Sequence, residues 1–226
     1  MPEPHIAALV PMRHSSERVK GKNYRPLAGR PLFHHVVGAL FACPHIDEVV
    51  IDTDSDHIAT DARAAFPEVR IVMRPEAIRG GDVPMNTVLL HDVSQVPADL
   101  YVQTHCTNPL LRPETITGAI EAFLDGREHY DSLFTVTPLQ TRLYTADGRP
   151  INHDPAVLLR TQDLPPVMEE NSCLYVFTGE TLRRGGNRIG ARPLLYPLLP
   201  EEAWDIDEEI DWTVVETLYA AREPAK

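Results

Sequence analysis

The chain has 226 residues, 43% of them hydrophobic, which is enough for one well-packed domain. Its formal net charge of −12 argues against general nucleic-acid binding, which needs a broad basic face. No apolar stretch approaches a membrane span, the run after Glu3 and His5 is too short for a secretory leader, and Cys43, Cys106 and Cys173 form no C-x-x-C pair, so a disulfide framework or zinc site is not expected. The expectation is a soluble cytoplasmic protein with reduced thiols and no membrane or nucleic-acid partner.

From the N-terminus, Ile6 to Val10 reads as a buried strand that breaks at Pro11. Further short strands rich in Val, Ile, Leu or Tyr are predicted at Glu48 to Thr53, Val69 to Met73, Leu100 to Thr104 and Ser132 to Val136. Between them, helices are predicted over 31–42, with Pro31 in the first turn; 55–65, after the candidate cap Thr53-Asp54-Ser55; 84–95; and 113–124, opened by Pro84 and Pro113. Strand and helix in alternation imply a doubly wound α/β fold with a mostly parallel sheet covered on both faces. The rhythm changes over 138–166, where Asp147-Gly148 between extended segments signals a hairpin and an inserted arm. Alternation resumes with a strand at Ser172 to Phe177, a short helix near Glu180 to Arg184, a Gly185-Gly186-Asn187-Arg188 loop and a last helix from about Glu208 to Arg222. The inward stripe expected for that helix is Ile210, Val214, Val215 and Leu218.

Two charged segments carry the functional signal. Between Arg13 and Arg25 there are five Lys or Arg and one acid, directly after the first strand, where ligand loops of α/β folds sit. Gly21 is the only glycine there, so neither a Walker A loop nor a G-x-G-x-x-G fingerprint is present, and side chains must supply the positive charge of a polyphosphate site. Near the C-terminus, Asp205, Asp207, Glu208, Glu209 and Asp211 crowd ahead of the last helix. In an extended segment Asp205 and Asp207 share a face while Ile206 points into the core. Two hard oxygen ligands of that kind suit Mg²⁺ completed by substrate phosphates, whereas acids before a helix also cap it.

Together the motifs resemble the acylneuraminate cytidylyltransferase (CMP-sugar-acid synthetase) family, with features of the 3-deoxy-manno-octulosonate cytidylyltransferases. The resemblance rests on Pro11-x-Arg13-x-x-Ser16, Lys22-Asn23, Arg25-Pro26-Leu27-Ala28-Gly29-Arg30-Pro31-Leu32, Asp52-Thr53-Asp54 and Arg74-Pro75 with Asp82. It continues through Thr107-Asn108-Pro109-Leu110, Arg160-x-Gln162-Asp163-Leu164-Pro165, Glu170-Asn171 and Asp205-Ile206-Asp207-x-Glu209-x-Asp211-Trp212, in order over nearly the whole chain.

The resemblance implies a nucleotide-diphospho-sugar transferase-like fold of GT-A type. It also implies Mg²⁺-dependent nucleotidyl transfer from CTP to a hydroxyl of an α-keto sugar acid. Arg13, Ser16, Arg18 and Lys22 would bind the nucleotide phosphates; Asn23, Arg74 and Asp82 would read the cytosine; Asp205 and Asp207 would hold Mg²⁺, with Arg13, Lys22 and Asp207 carrying the chemistry. Arg160 would clamp the acid's carboxylate, with Gln162, Asn171 and His105 beside it and Arg142 or Arg188 as alternative clamps. The arm would join two copies into a homodimer. Turn chemistry beside Gly21 is a competing role for Asn23.

Three departures bear on the acceptor. Glu17 fills a slot usually held by lysine, His105-Cys106 replaces the residues usual before the T-S-P-L motif, and Ser172 follows Asn171 where the family tends to have glycine. An octulosonate or a phosphonate is an alternative acceptor. Two other classes stay open: a glycosyltransferase using Asp52-Thr53-Asp54 as a D-x-D metal motif, and a non-catalytic nucleotide-binding module.

Overall fold

The computed structural model describes residues 3–16 and 18–222; Glu17, and with it the expectation for the lysine slot, lies outside the described residues. The sheet contains strands β1 (Ile6–Met12), β4 (Glu48–Thr53), β5 (Arg70–Met73), β6 (Leu100–Thr104), β7 (Ser132–Leu139), β8 (Val167–Phe177) and β9 (Pro193–Pro197), while β2 (Pro26–Leu27) and β3 (Arg30–Pro31) form a small separate hairpin. Helices are α1 (Leu32–Phe41), α2 (Asp56–Ala65), α3 (Met85–Gln95), α4 (Pro113–Gly126), α5 (Gly179–Gly185) and α6 (Glu209–Ala221). The sheet order is β5-β4-β1-β6-β8-β7-β9, and only β8 runs against its neighbours.

The period of two in the strands builds two cores. From β1, Ile6, Ala8, Val10 and Met12 join Phe33, Val36 and Leu40 of α1 and Ile116 and Ile120 of α4 on one face. Ala7 and Leu9 of the same strand turn to the other face, where Leu89 and Val93 of α3 and Leu182 of α5 pack. A third cluster joins the chain ends: Val19 of the basic segment, Leu27, Leu32 and Leu110 surround Ile206, Trp212 and Val215. No helix among the described residues is long and apolar enough to cross a membrane.

Several elements depart from the sequence pattern. The β2–β3 hairpin turns on Ala28 and Gly29, both at positive φ (48° and 85°), the backbone form that two-residue hairpins require. Strand β9 escapes periodicity because proline stands at both its ends, which an edge position tolerates. Strand β8 begins at Val167, through exposed Met168, Glu169 and Glu170, because pairing to β7 rather than burial defines that stretch. Between them, residues 140–166 hold only an isolated Tyr144–Pro150 bridge and a short 3-10 turn at Thr161–Asp163. In α6 the stripe is corrected: Ile210 is 67% exposed, and the buried residues are Trp212 and Val215. Ile210 stands two positions before Trp212, about 200° around the helix, and so faces away from the buried Trp212–Val215 side.

Ile206 is 0% exposed and its N–H donates to Thr107 O at 3.0 Å, so core packing sets the position of Asp205 and Asp207. Ile206→Ala should cost about 2–5 kcal/mol, seen as a lower urea midpoint at unchanged slope; a loss under about 1 kcal/mol would mean that this segment is not anchored by its side chain.

Candidate functional site

The order of the sheet creates a reversal at β1: the chain winds outward through β4 and β5, then returns to place β6 on the opposite side of β1. Ligand crevices of α/β sheets open at the carboxyl ends of the strands at such a point. A cleft of about 540 Å³ opens there, lined by Arg13, Ser16, Arg18, Lys22, Asn23, Arg74, His105, Cys106, Ser172, Asp205 and Asp207 among others. Nine of the residues expected from the sequence to form a site therefore meet in one place.

The two charged chain ends face each other directly. Arg18 Nη2 stands 2.6 Å from Asp207 Oδ1 and Lys22 Nζ 3.3 Å from the same oxygen, while Lys22 Nζ also donates to Ile206 O at 2.5 Å. Lys22 is the more buried of the two cations, with 11% side-chain exposure against 57% for Arg18. Gly21 makes the turn possible: it holds φ 63°, and a Cβ there would stand 2.9 Å from the Tyr24 ring. Arg25 leaves the cleft, pairing with Glu209 at 2.7 Å over the Trp212 ring.

The acidic cluster divides its labour. Asp211 accepts the N–H groups of Asp207 and Glu208 at 2.9 and 2.7 Å and so caps α6, and Glu209 serves Arg25. Asp205 and Asp207 instead face the cleft on either side of the buried Ile206. Burial raises the Asp205 carboxyl above its ordinary range, against a lowering hydrogen bond from Thr107, and its Oδ1 is buried without a hydrogen-bond partner. An orphaned, buried carboxylate oxygen beside a second carboxylate fits a hard divalent cation.

Asn23 is engaged at both ends of its amide. Nδ2 donates to Arg13 O at 2.6 Å, and Oδ1 accepts from Cys106 Sγ at 3.1 Å. These contacts tie the basic segment to the end of β6 and are long-range rather than turn hydrogen bonds beside Gly21. Cys106, which the sequence marked only as a departure, is thus part of that tie; burial pushes its thiol up to about 12, so it stays a neutral donor. Burial, aided by Arg188 and Lys22, pushes His105 down to about 3, which makes it a neutral hydrogen-bonding group in the cleft wall.

Behind His105, Gln103 Nε2 lies 3.3 Å from His105 Nε2 and Gln103 Oε1 accepts from Arg188 Nη1 at 2.6 Å. The Arg188 guanidinium rests 3.6 Å above the Tyr175 ring. Ser172 holds φ 58°, where β7 and β8 slip register between Phe134 and Val136. That left-handed backbone is the physical reason for a glycine preference at this position.

Other expected residues lie elsewhere. Asp82 sits on the rim, exposed between Gly81 and Val83 of the lining. Asn171 spans the β7–β8 irregularity, its Oδ1 accepting from Thr135 Oγ1 at 2.6 Å and its Nδ2 donating to Thr137 Oγ1 at 3.2 Å. Arg160, with 72% side-chain exposure, pairs with Asp163 at 2.7 Å, and Gln162 is exposed beside it; both belong to the 140–166 segment and neither lines the cleft. In the Asp52-Thr53-Asp54 motif one oxygen of each carboxylate is engaged. Asp52 is bound by Arg74 Nε at 2.5 Å, and Asp54 Oδ1 accepts the His14 N–H at 2.7 Å.

Known proteins resemble this chain along most of its length. It is 29% identical over 219 residues to N-acylneuraminate cytidylyltransferase of Oncorhynchus mykiss, covering 94% of this chain and 50% of that protein. It is 28% identical over 234 residues to the CMP-N,N'-diacetyllegionaminic acid synthase of Legionella pneumophila, covering 97% of this chain and 98% of that one. The chain spans about half the length of the fish relatives it matches. Among solved structures, CMP:2-keto-3-deoxy-manno-octonic acid synthetase complexed with CTP superposes with a TM-score of 0.68 at 15% identity, covering 96% of this chain and 98% of that one. A 4-diphosphocytidyl-2C-methyl-D-erythritol synthase gives 0.66 at 16%, covering 96% and 99%. The fold is therefore the nucleotide-diphospho-sugar transferase-like α/β fold expected from the sequence. Its residues 7–194 match the family model described as cytidylyltransferase, and the chain belongs to that family.

Proposed function

We propose that this protein transfers the cytidylyl group of CTP to a hydroxyl of an α-keto sugar acid, an acylneuraminate or related nonulosonate, giving a CMP-sugar and pyrophosphate. The observation that carries this reading is the pairing, in one cleft at the sheet's switch point, of Arg18 and Lys22 with Asp207, beside the orphaned Oδ1 of Asp205. The names of the relatives support the donor and the acceptor class.

In this reaction the acceptor hydroxyl gives up its proton to solvent and its oxygen attacks the α-phosphorus in line, the bond from that phosphorus to the bridging oxygen breaks, and its electron pair leaves with pyrophosphate. The protein's part is to position and to neutralise charge. Arg13, Arg18 and Lys22 bind the triphosphate, and the anionic phosphates replace Asp207 as partner of Arg18. Asp207, so released, and Asp205 are the residues that would hold Mg²⁺. Held there, the ion would supply Lewis-acid stabilisation of the phosphate oxygens and would lower the pKa of the acceptor hydroxyl. Neutral His105 offers the acceptor a hydrogen bond, with Arg188 behind it. The glycosyltransferase alternative loses support from the engagement of both Asp52 and Asp54.

The acceptor's carboxylate calls for a guanidinium, and Arg160 fits this role in a dimer. Tyr144, Ile151, Val157, Leu158 and Leu159 of the same segment, and Met168 just after it, expose apolar side chains, Leu158 at 88%. A second copy of the chain would cover that surface, and Arg160 and Gln162 would then reach the partner's acceptor site.

Removing a preorganised electrostatic partner costs about 10²–10³ in turnover. Asp207→Asn and Lys22→Ala should each show a loss of that size in pyrophosphate release with CTP and a nonulosonic acid, and near-normal turnover in either would refute its role. Leu158→Asp should convert a dimer to a monomer by light scattering and raise the KM for the sugar acid as Arg160→Ala does. A monomeric wild type, or an unchanged KM in Arg160→Ala, would contradict the arm's assignment.

A further inference from the structure

Two carboxylates are fully enclosed at the Arg74 end of the cleft. Asp52, in β4, is 1% exposed, and Asp92, on the inner side of α3, is 0% exposed. Arg74, itself 3% exposed, donates to Asp52 Oδ1 from Nε at 2.5 Å and also from Nη2. As long as both acids are ionised, Asp52 Oδ2 and both oxygens of Asp92 stay buried without a hydrogen-bond partner. The two carboxyls nevertheless face each other closely, with one oxygen of each within 4.8 Å of the other.

Two anions so close in a dry interior cannot both persist, and one guanidinium compensates only one of them. A single hydrogen resolves the conflict. Placed on Asp92 and donated to Asp52 Oδ2, it gives both carboxyls a partner and leaves Asp52 ionised toward Arg74. The charged groups acting on Asp92 are Asp52 and Arg74, with His91 Nδ1 3.5 Å from its Oδ1. Burial, then the Asp52 charge, pushes Asp92 up to about 8. One potential ligand atom each from Asp52, His91 and Asp92 also lie within 4.8 Å of one another. A cation there would stand against the Arg74 guanidinium already bound to Asp52, so a proton suits the site better than a metal.

We propose that a proton shared between Asp92 and Asp52 holds Arg74 in place at the nucleotide end of the cleft, which makes both acids positioning residues for CTP binding. The link to CTP rests on the cytidylyltransferase reading above; the shared proton does not.

Calorimetric titration of the full chain with CTP and Mg²⁺ from pH 7 to 9.5 tests the link. Wild type should lose about tenfold in affinity, the size of one charge-assisted contact, as pH rises through about 8. Asp92→Asn keeps a neutral donor toward Asp52, so it should bind like wild type at pH 7 and show a flat profile, whereas Asp52→Asn should bind about tenfold more weakly already at pH 7. Persistence of the alkaline loss in Asp92→Asn, or a tenfold loss in that variant at pH 7 as a metal site would give, overturns the proposal.

Melting temperature provides a readout that needs no ligand. The unfolded chain releases this proton near 3.8 and the folded chain near 8, so the contribution of Asp92 to stability should fall as pH rises between those values. Asp92→Asn should flatten that slope. An unchanged slope overturns the shared proton, while a flattened slope in a protein that binds no CTP at any pH would leave the proton standing and overturn the link to CTP.

Discussion

The contact of Asp207 with Arg18 and Lys22 is the constraint on which the site depends. It joins residues 189 and 185 positions apart in sequence, and it sets a basic loop from the first strand against an acidic segment from the last turn before α6. Exposed ion pairs contribute little to stability, and Arg18 and Asp207 are both well exposed. The geometry is held by apolar packing beneath, where Val19, Ile206, Trp212 and Val215 fill a common cluster. Hydrophobic burial positions the charges, which under the proposed function would exchange partners on binding a polyanion.

Around this centre the titratable groups are set neutral or fixed. His105 and Cys106 are held uncharged by burial, and Asn23 is tied to Arg13 and Cys106. Such a wall supplies oriented dipoles with no mobile charge to compete for phosphate, the arrangement that makes electrostatic preorganisation effective. The net charge of −12 and the cluster of cations in the cleft are then complementary features: the surface would repel anions in general, and the cleft would admit one.

Much of this was legible in the sequence because local signals agreed. Apolar runs of strand length, prolines at helix starts and the alternation of the two gave the parallel sheet, and charge patterning gave both halves of the cleft. What escaped was set by tertiary pairing. The exposed start of β8 is a strand because β7 lies beside it, and β9 because it completes an edge. The family motif points to Arg160 and Asn171, but a motif records a residue's presence and not the surface it faces, and within one chain neither lines the cleft. Asp92 carried no sequence signal, since a lone acid in an amphipathic helix is expected to face water, and only its burial against Asp52 reveals the conflict. Ser172 was visible as a departure, but its meaning came from its positive φ.

The most direct test is a crystal structure with a non-hydrolysable CTP analogue and Mn²⁺, the metal located by its anomalous signal. The triphosphate should lie among Arg13, Arg18 and Lys22, with the Arg18 contact to Asp207 broken and the metal on Asp205 and Asp207. Metal bound instead at Asp52 and Asp54, with Asp207 still paired to Arg18, would contradict this assignment.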